Sequence, residues 1–335
     1  MMHFSSCLNK GFISMVRTFI LGSVVCVLCS GCGGDGGSSN PISPSGGLSS
    51  SAGTTSAGTT SVAAVTALEL TQAPVFTPKE IPPGDPLYGL FNKYIKVFGI
   101  GLLAVNGYPD EMLTHVATIT AEYLDNNEDG SPDNLAVNSA LQRTGASFLL
   151  LTTEGTQGSD GPPEWVAIRD RSEVNYITEL TVMYKDANKG GTICGADCGE
   201  LNDTALEYVP ELIQKAGYGQ VYPSDFAPTP GTTLALAMDD ARGGDFRENP
   251  TTYPASAWYT AWYPYEGHFI EYFYWGLVTN LRMFGDRSPR VCAEYYDEWK
   301  LCTQAEFRAT DKKLYAMLTD SRFNLPKVAP NGVYR

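Results

Sequence analysis

Residues 94–152 read YIKVFGIGLLAVNGYPDEMLTHVATITAEYLDNNEDGSPDNLAVNSALQRTGASFLLLT, and the period of their apolar positions changes along the run. Tyr94 to Val105 is apolar and β-branched in places, which predicts a strand. Pro109-Asp110-Glu111 then opens a helix, with Asp110 expected as its cap. Leu113, Val116, Ala117, Thr120 and Leu124 follow at helical spacing. Leu135 to Thr144 predicts a second helix, and Ser147 to Thr152 a buried strand. Strands and helices are therefore mixed along this run.

The two helices enclose Asp125–Asp133, DNNEDGSPD. Side-chain oxygens fall at loop positions one, three and five, on Asp125, Asn127 and Asp129. Gly130 follows where the backbone must turn sharply, Ser131 can offer its carbonyl, and Asp133 stands at position nine. This is the D-x-N-x-D-G-x-x-D pattern of calcium loops. A large, hard cation takes six or more oxygens in forgiving geometry, so calcium is the expected ion. Glu128 brings the acidic residues to four in nine, which repel one another without a cation. Ala136 stands where an EF-hand has its bidentate Glu, so the reading is a structural site rather than a sensor. The alternative is a solvated acidic turn that caps the next helix.

Further along, residues 153–172 and 186–202 are Gly-, Pro- and Asp-rich loops. Asp203 is expected to cap a third helix running to Ala216, kinked at Pro210 and closed by Gly217. Thr232 to Ala241 and Gly267 to Phe284 also read as helices, with shorter ones near 304–319. Met238-Asp239-Asp240 followed by Ala241-Arg242-Gly243-Gly244 suggests a helix end with a tight turn. The expected body is one loop-rich, mainly helical α+β domain over 67–335, with a few short strands.

The amino-terminal part is a different material. Residues 1–31 resemble a lipoprotein signal peptide: Lys10 and Arg17 precede the apolar run Phe19 to Leu28, which is shorter than the ~20 residues a membrane span needs. Leu28-Cys29-Ser30-Gly31-Cys32 resembles a bacterial lipobox, implying lipid on Cys32. Residues 32–66 are Gly-, Ser- and Thr-rich, with a tandem SAGTT. Such a coil has an r.m.s. reach of ~30–35 Å. It reads as a flexible tether, and the expected location is the bacterial outer membrane or cell surface.

The full chain has 335 residues and a formal charge of −14. That acidic balance excludes a binder of nucleic-acid backbone, which needs clustered Lys and Arg. Three histidines in all, His3, His115 and His268, exclude a metal held by three imidazoles outside the leader. Beyond the leader and Cys32, four cysteines remain, Cys194, Cys198, Cys292 and Cys302. In an oxidising compartment they read as two disulfides, most simply Cys194–Cys198 and Cys292–Cys302. A four-thiolate zinc site is the rival.

The chemical candidates are few. His115 shares with Ile119 and Glu122 an edge of the first helix distinct from that of Leu113 and Val116. His268 opens the last long helix with Glu271 one turn on, and Glu207 and Glu211 lie a turn apart on the third. His115, His268 and Glu271, with Glu207, could form a transition-metal site for copper or zinc. Glu207, His268 and Glu271 could instead serve as acid–base groups of a hydrolase acting on glycans or peptides. A partner-binding module without chemistry is the third reading. The aromatic run 253–275 is read as core from Phe269 to Trp275. It is left open from Trp258 to Tyr265, where sugar stacking is the alternative.

Several blocks together resemble a family of secreted or lipidated bacterial proteins, over about 88–335: Ala121 to Gly130, Gly217-Tyr218 with Tyr222-Pro223, Ala241 to Gly244, Ala257 to Thr260, and Glu271-Tyr272-Phe273-Tyr274-Trp275. More distantly, a His-bearing helix followed by a calcium loop looks like the surface copper-binding proteins of methane-oxidising bacteria. That resemblance implies calcium and a copper(I) site of two histidines beside a modified tryptophan. His115 matches the first histidine, Leu113 stands where those proteins carry the tryptophan, and His268 is left as the second.

Overall fold

β1 (Lys79–Glu80) pairs antiparallel with β2 (Lys93–Val97), and β2 turns back onto β3 (Ile100–Ala104). The run 94–105 is therefore a hairpin and not one strand. Phe98 (φ 47°) and Gly99 (φ 91°) make its two-residue turn, and positive φ at both positions matches the twist of the paired strands. Hydrophobicity hid the turn, because one of its residues is a phenylalanine. The side-chain amide of Gln142 donates to the Phe98 carbonyl at 2.7 Å and fixes the turn from outside.

The computed structural model describes residues 76–152, 168, 174–177, 203–287 and 289–335, all within the unit Ala64–Arg335. The leader, the tether, Cys32, and the pair Cys194 and Cys198 lie outside the described residues. β4 (Ser147–Leu150) and β5 (Val174–Ile177) extend the sheet in parallel, giving the order β1-β2-β3-β4-β5. The crossover from β3 to β4 is made by α1 (Asp110–Leu124) and α2 (Leu135–Thr144). Alternation along the strands sorts side chains between two cores. Ile95, Val97, Leu102, Ala104, Phe148 and Leu150 face the main core. Leu149 and Leu151 join Ile81, Phe91 and Val174 in a smaller one on the other face.

Pro109, not Asp110, occupies the cap position of α1, and no side chain caps it. Asp110 is the first helical residue, and its carboxylate pairs with Lys93 of β2. α2 is capped by Asn134, whose side chain accepts from the Val137 N–H, and it stops at the left-handed Gly145.

α3 (Thr204–Ile213) is capped by Asp203 as expected. It does not end at Gly217: the backbone continues as a π-helical stretch, Gln214–Tyr218, and two short turns, Gly219–Val221 and Pro223–Phe226. Gly217 serves packing, since a Cβ there would lie 2.8 Å from Val137 and 3.1 Å from Leu141 of α2.

α4 (Thr233–Arg242) ends in Gly243 at φ 79°, with the Gly244 N–H reaching back to the Asp239 carbonyl. α5 (Tyr265–Asn280) is buried along its whole length except at Glu266 and Ile270. An apolar helix without a polar face belongs at the centre of its neighbours, and α5 packs against α3, α4, α7 (Gln304–Thr310) and α8 (Lys312–Leu318). Phe269, Tyr272, Phe273, Tyr274 and Trp275 are core, as expected. Trp262 is exposed and Tyr259 fully buried. Cys292 of α6 (Pro289–Tyr295) and Cys302 form a disulfide with Cα atoms 5.5 Å apart. The fold is α+β, a five-stranded mixed sheet with helices around α5.

Candidate metal centres

Asp125 leaves α1 as its C-cap and is fully buried. Its Oδ1 accepts the Asp129 N–H at 3.1 Å and its Oδ2 the Gly130 N–H at 2.7 Å. Asn127 Oδ1 accepts from the Asp129 N–H at 2.9 Å, and Asp129 Oδ1 from the Ser131 N–H at 2.9 Å. Asp133 Oδ2 accepts from the Asn126 N–H at 2.7 Å. Each side chain of the D-x-N-x-D-G run is thus turned inward by a main-chain N–H two to five residues ahead. Gly130, at φ 94°, makes the sharp turn. Burial, and then the Asp125 and Asp129 charges, push the Asp133 carboxyl above its ordinary pKa. These oxygens accept loop N–H groups, and the carboxylates of Asp125, Asp129 and Asp133 do not converge within 4.8 Å of one another as those of Glu207, Glu211 and Glu271 do.

The same loop holds the end of the chain. The Glu122 carboxylate accepts the Asn331 and Gly332 N–H groups at 2.9 and 3.0 Å. Asn126 Oδ1 accepts from Lys327 and Val328 N–H, both at 2.8 Å, while its amide donates to the Val328 carbonyl at 2.7 Å. Asn324 donates to the Asp133 carbonyl at 3.0 Å, and Asn134 to the Phe323 carbonyl at 2.7 Å. The Tyr334 hydroxyl donates to Asp125 Oδ2, and Arg335 Nη2 lies 3.4 Å from the same oxygen. Asp125 is therefore served by a guanidinium and a phenol from some 210 residues away. Local sequence carried no signal for this clasp.

A second constellation lies along α3, which packs against both α1 and α5. His115 is buried, and its Nε2 donates to Asp203 Oδ2 at 2.6 Å. Its Nδ1 has no hydrogen-bond partner among the described residues. A turn along α3 from Asp203 stands Glu207, and a turn beyond that Glu211. One carboxylate oxygen each from Glu207, Glu211 and Glu271 lie within 4.8 Å of one another. Asn175 of β5 donates to Glu211 Oε2 at 3.1 Å. Burial, and then the Glu207 charge, raise the Tyr274 hydroxyl well above its usual pKa. Three carboxylates so close need positive charge from a proton, a metal or a basic side chain.

His115, His268 and Glu271 are not gathered into one site. Among the described residues, the potential ligand atoms that converge are those of the three glutamates. His268 belongs to another neighbourhood, where Nε2 donates to Asn249 Oδ1 at 2.6 Å and the ring meets Tyr259 and Tyr263 edge-on. Burial and the Arg242 charge lower its pKa to about 3. It stays neutral at ordinary pH and is separated from the Glu207 and Glu271 pair that a hydrolase would need it to join. Glu211 was legible as Glu207's neighbour one turn on. Asp203 was legible only as a helix cap, not as the partner of His115.

Compared with protein-family models, with curated proteins and with solved structures, the chain matches none. No helix among the described residues is long and apolar enough to cross a membrane.

Proposed function

We propose that this chain is a lipid-anchored, metal-binding surface protein whose acidic loop takes a structural calcium ion. The observation that carries the reading is Asp125, a buried carboxylate with both oxygens oriented by loop N–H groups, followed by Asn127 and Asp129 held the same way. Asp125, Asn127, Asp129, the Ser131 carbonyl and Asp133 would hold the ion. Calcium there would neutralise the loop and tighten the clasp on residues 323–335. Arg335 is the competing cation, since its guanidinium lies beside the same carboxylate. The anchor on Cys32 and the tether accord with an outer-membrane or surface location.

His115 supports a second metal. Ligating histidines commonly donate one ring nitrogen to a carboxylate and use the other for the ion. His115 donates to Asp203 and keeps Nδ1 without a partner among the described residues. With a carboxylate, Asp203, as the partner of His115, zinc, manganese or iron suits it better than copper(I), which prefers sulfur and imidazole.

Metal analysis of the purified protein, with calcium titration by calorimetry after chelation, tests both parts. One calcium per chain, lost in Asp125→Asn and retained in His115→Gln, is expected. A second metal lost in His115→Gln alone supports the second site. Identical melting with and without chelator refutes the calcium reading.

A further inference from the structure

The sequence holds two Asn-Gly pairs, Asn106-Gly107 and Asn331-Gly332. Such a pair is chemically special because glycine has no Cβ to shield its own backbone nitrogen. That nitrogen can attack the side-chain amide carbon of the residue before it. The fold puts the two pairs in opposite surroundings.

Asn106 and Gly107 are both exposed, in the turn that leads from β3 to α1. The turn is closed by the Tyr108 N–H on the Val105 carbonyl at 3.2 Å. Gly107 sits at φ 85°, and nothing lies within 4 Å of where a Cβ would stand. Its N–H has no hydrogen-bond acceptor among the described residues. The Asn106 amide oxygen accepts from the Asn92 amide at 3.3 Å. A donor on that oxygen draws electron density from the carbon under attack. Among the described residues nothing else ties this side chain, so it has room to swing over the glycine nitrogen.

Asn331 is locked. It is 5% exposed, and its Oδ1 accepts the Val333 N–H at 3.0 Å. The Gly332 N–H donates to Glu122 Oε2 at 3.0 Å, so the attacking nitrogen is engaged. Ring closure there would break both bonds at a buried site and leave their polar groups unserved.

We propose that Asn106 is a site of spontaneous, backbone-assisted deamidation, and that the clasp on Glu122 protects Asn331 from the same reaction. Gly107 N gives its proton to water and bonds to Asn106 Cγ. The Cγ–Nδ2 bond breaks, and the nitrogen takes a proton from solvent and leaves as ammonia. Water then opens the cyclic imide at either of its C–N bonds. Opening at Cγ leaves an aspartate. Opening at the main-chain carbonyl leaves an isoaspartate, with the chain routed through the former side chain. Amide and water become carboxylate and ammonium, with no change of oxidation state. The new charge falls beside Asn92, whose amide then has a carboxylate, a stronger acceptor, to donate to.

The test is incubation of the purified protein in mildly alkaline buffer, with its peptides followed over time by mass spectrometry. Asn106 is expected to convert at least about tenfold faster than Asn331, a barrier difference of about 1.4 kcal/mol. In urea the two should convert at similar rates, because the difference lies in the fold. Glu122→Ala should speed conversion at Asn331 and leave Asn106 unchanged, and the urea comparison serves where that variant does not fold. Asn106→Gln should remove the mass gain from its peptide. Equal rates in the folded chain, faster conversion at Asn331, or no conversion at Asn106 overturns the proposal. An Asn331 rate unmoved both by Glu122→Ala and by urea overturns its protective half.

Discussion

Pro210 shows how one residue's chemistry is answered from elsewhere. A proline inside a helix has no N–H for the carbonyl four residues back, which here is that of Leu206. The buried Tyr123 hydroxyl of α1 donates to that carbonyl at 2.8 Å. Tyr123→Phe keeps the ring and strands the acceptor, so a loss of about 1–3 kcal/mol is expected from denaturant unfolding. In a Pro210→Ala background the helix supplies its own N–H, and the loss should shrink; an unchanged loss would mean that the hydroxyl does not compensate for the proline. His268 gives a pH signature. Its folded pKa is lowered to about 3 from an ordinary 6.5. Between those values the unfolded chain binds a proton that the folded chain refuses. Stability therefore falls as pH drops through this window, by up to about 1.4 kcal/mol per pH unit. Glu298 and Asp311, whose pKa values burial raises, act in the opposite sense. The difference between wild type and His268→Gln isolates the imidazole, and parallel pH–stability curves would remove its role. His115 and Glu271 were legible as chemistry-bearing residues, and Glu207 was read beside Glu271, but Asp203 as the partner of His115 was not. A period of 3.6 shows which helix edge a residue occupies and says nothing of which helix faces that edge.

At the scale of elements, α1 and α2 were legible because apolar periodicity is local, while their caps, Pro109 and Asn134, were not. The hairpin turn at Phe98-Gly99 was not, since its signal was split between a glycine and an aromatic residue. The continuation of α3 through Gly217 was not either: close packing on α2, rather than helix termination, accounts for that glycine. The clasp between the loop and residues 323–335 joins segments some 200 residues apart. It makes a coupling prediction. If calcium and Arg335 draw on the same Asp125 oxygen, Arg335→Ala should raise calcium affinity, by several-fold for a partly exposed pair of this kind. Asn126→Ala should loosen the tail without that gain, because Asn126 holds Lys327 and Val328 rather than the carboxylate. Calcium titration of both variants, with amide exchange at 327–333, checks this. Arg335→Ala binding calcium more weakly would mean that the guanidinium supports the ion site instead of competing for it.

At the scale of the whole molecule, Phe76 and the tail at 331–335 meet beside α1. Thr114 donates to the Phe76 carbonyl at 3.2 Å, and the Phe76 ring lies 5.9 Å from that of Tyr334. The acidic loop thus carries contacts some 190 to 210 residues long in sequence, and what stabilises it stabilises the docking of residues 323–335. Charge complicates any measurement of that effect. Lys10, Arg17 and Asp35 lie before residue 67, so 67–335 carries 21 basic and 36 acidic side chains, or −15. Any salt screens such self-repulsion. Sodium chloride alone should therefore raise the melting temperature, smoothly and without saturation at low concentration. Calcium at matched ionic strength should add a saturable rise on top. Magnesium should give less of it, because it demands six near-ideal ligands and sheds water reluctantly. The saturable part should vanish in Asp125→Asn while the screening part remains. If calcium and sodium curves coincide at equal ionic strength, the loop acts only as a cluster of charges, and Arg335 and Tyr334 are its partners in solution.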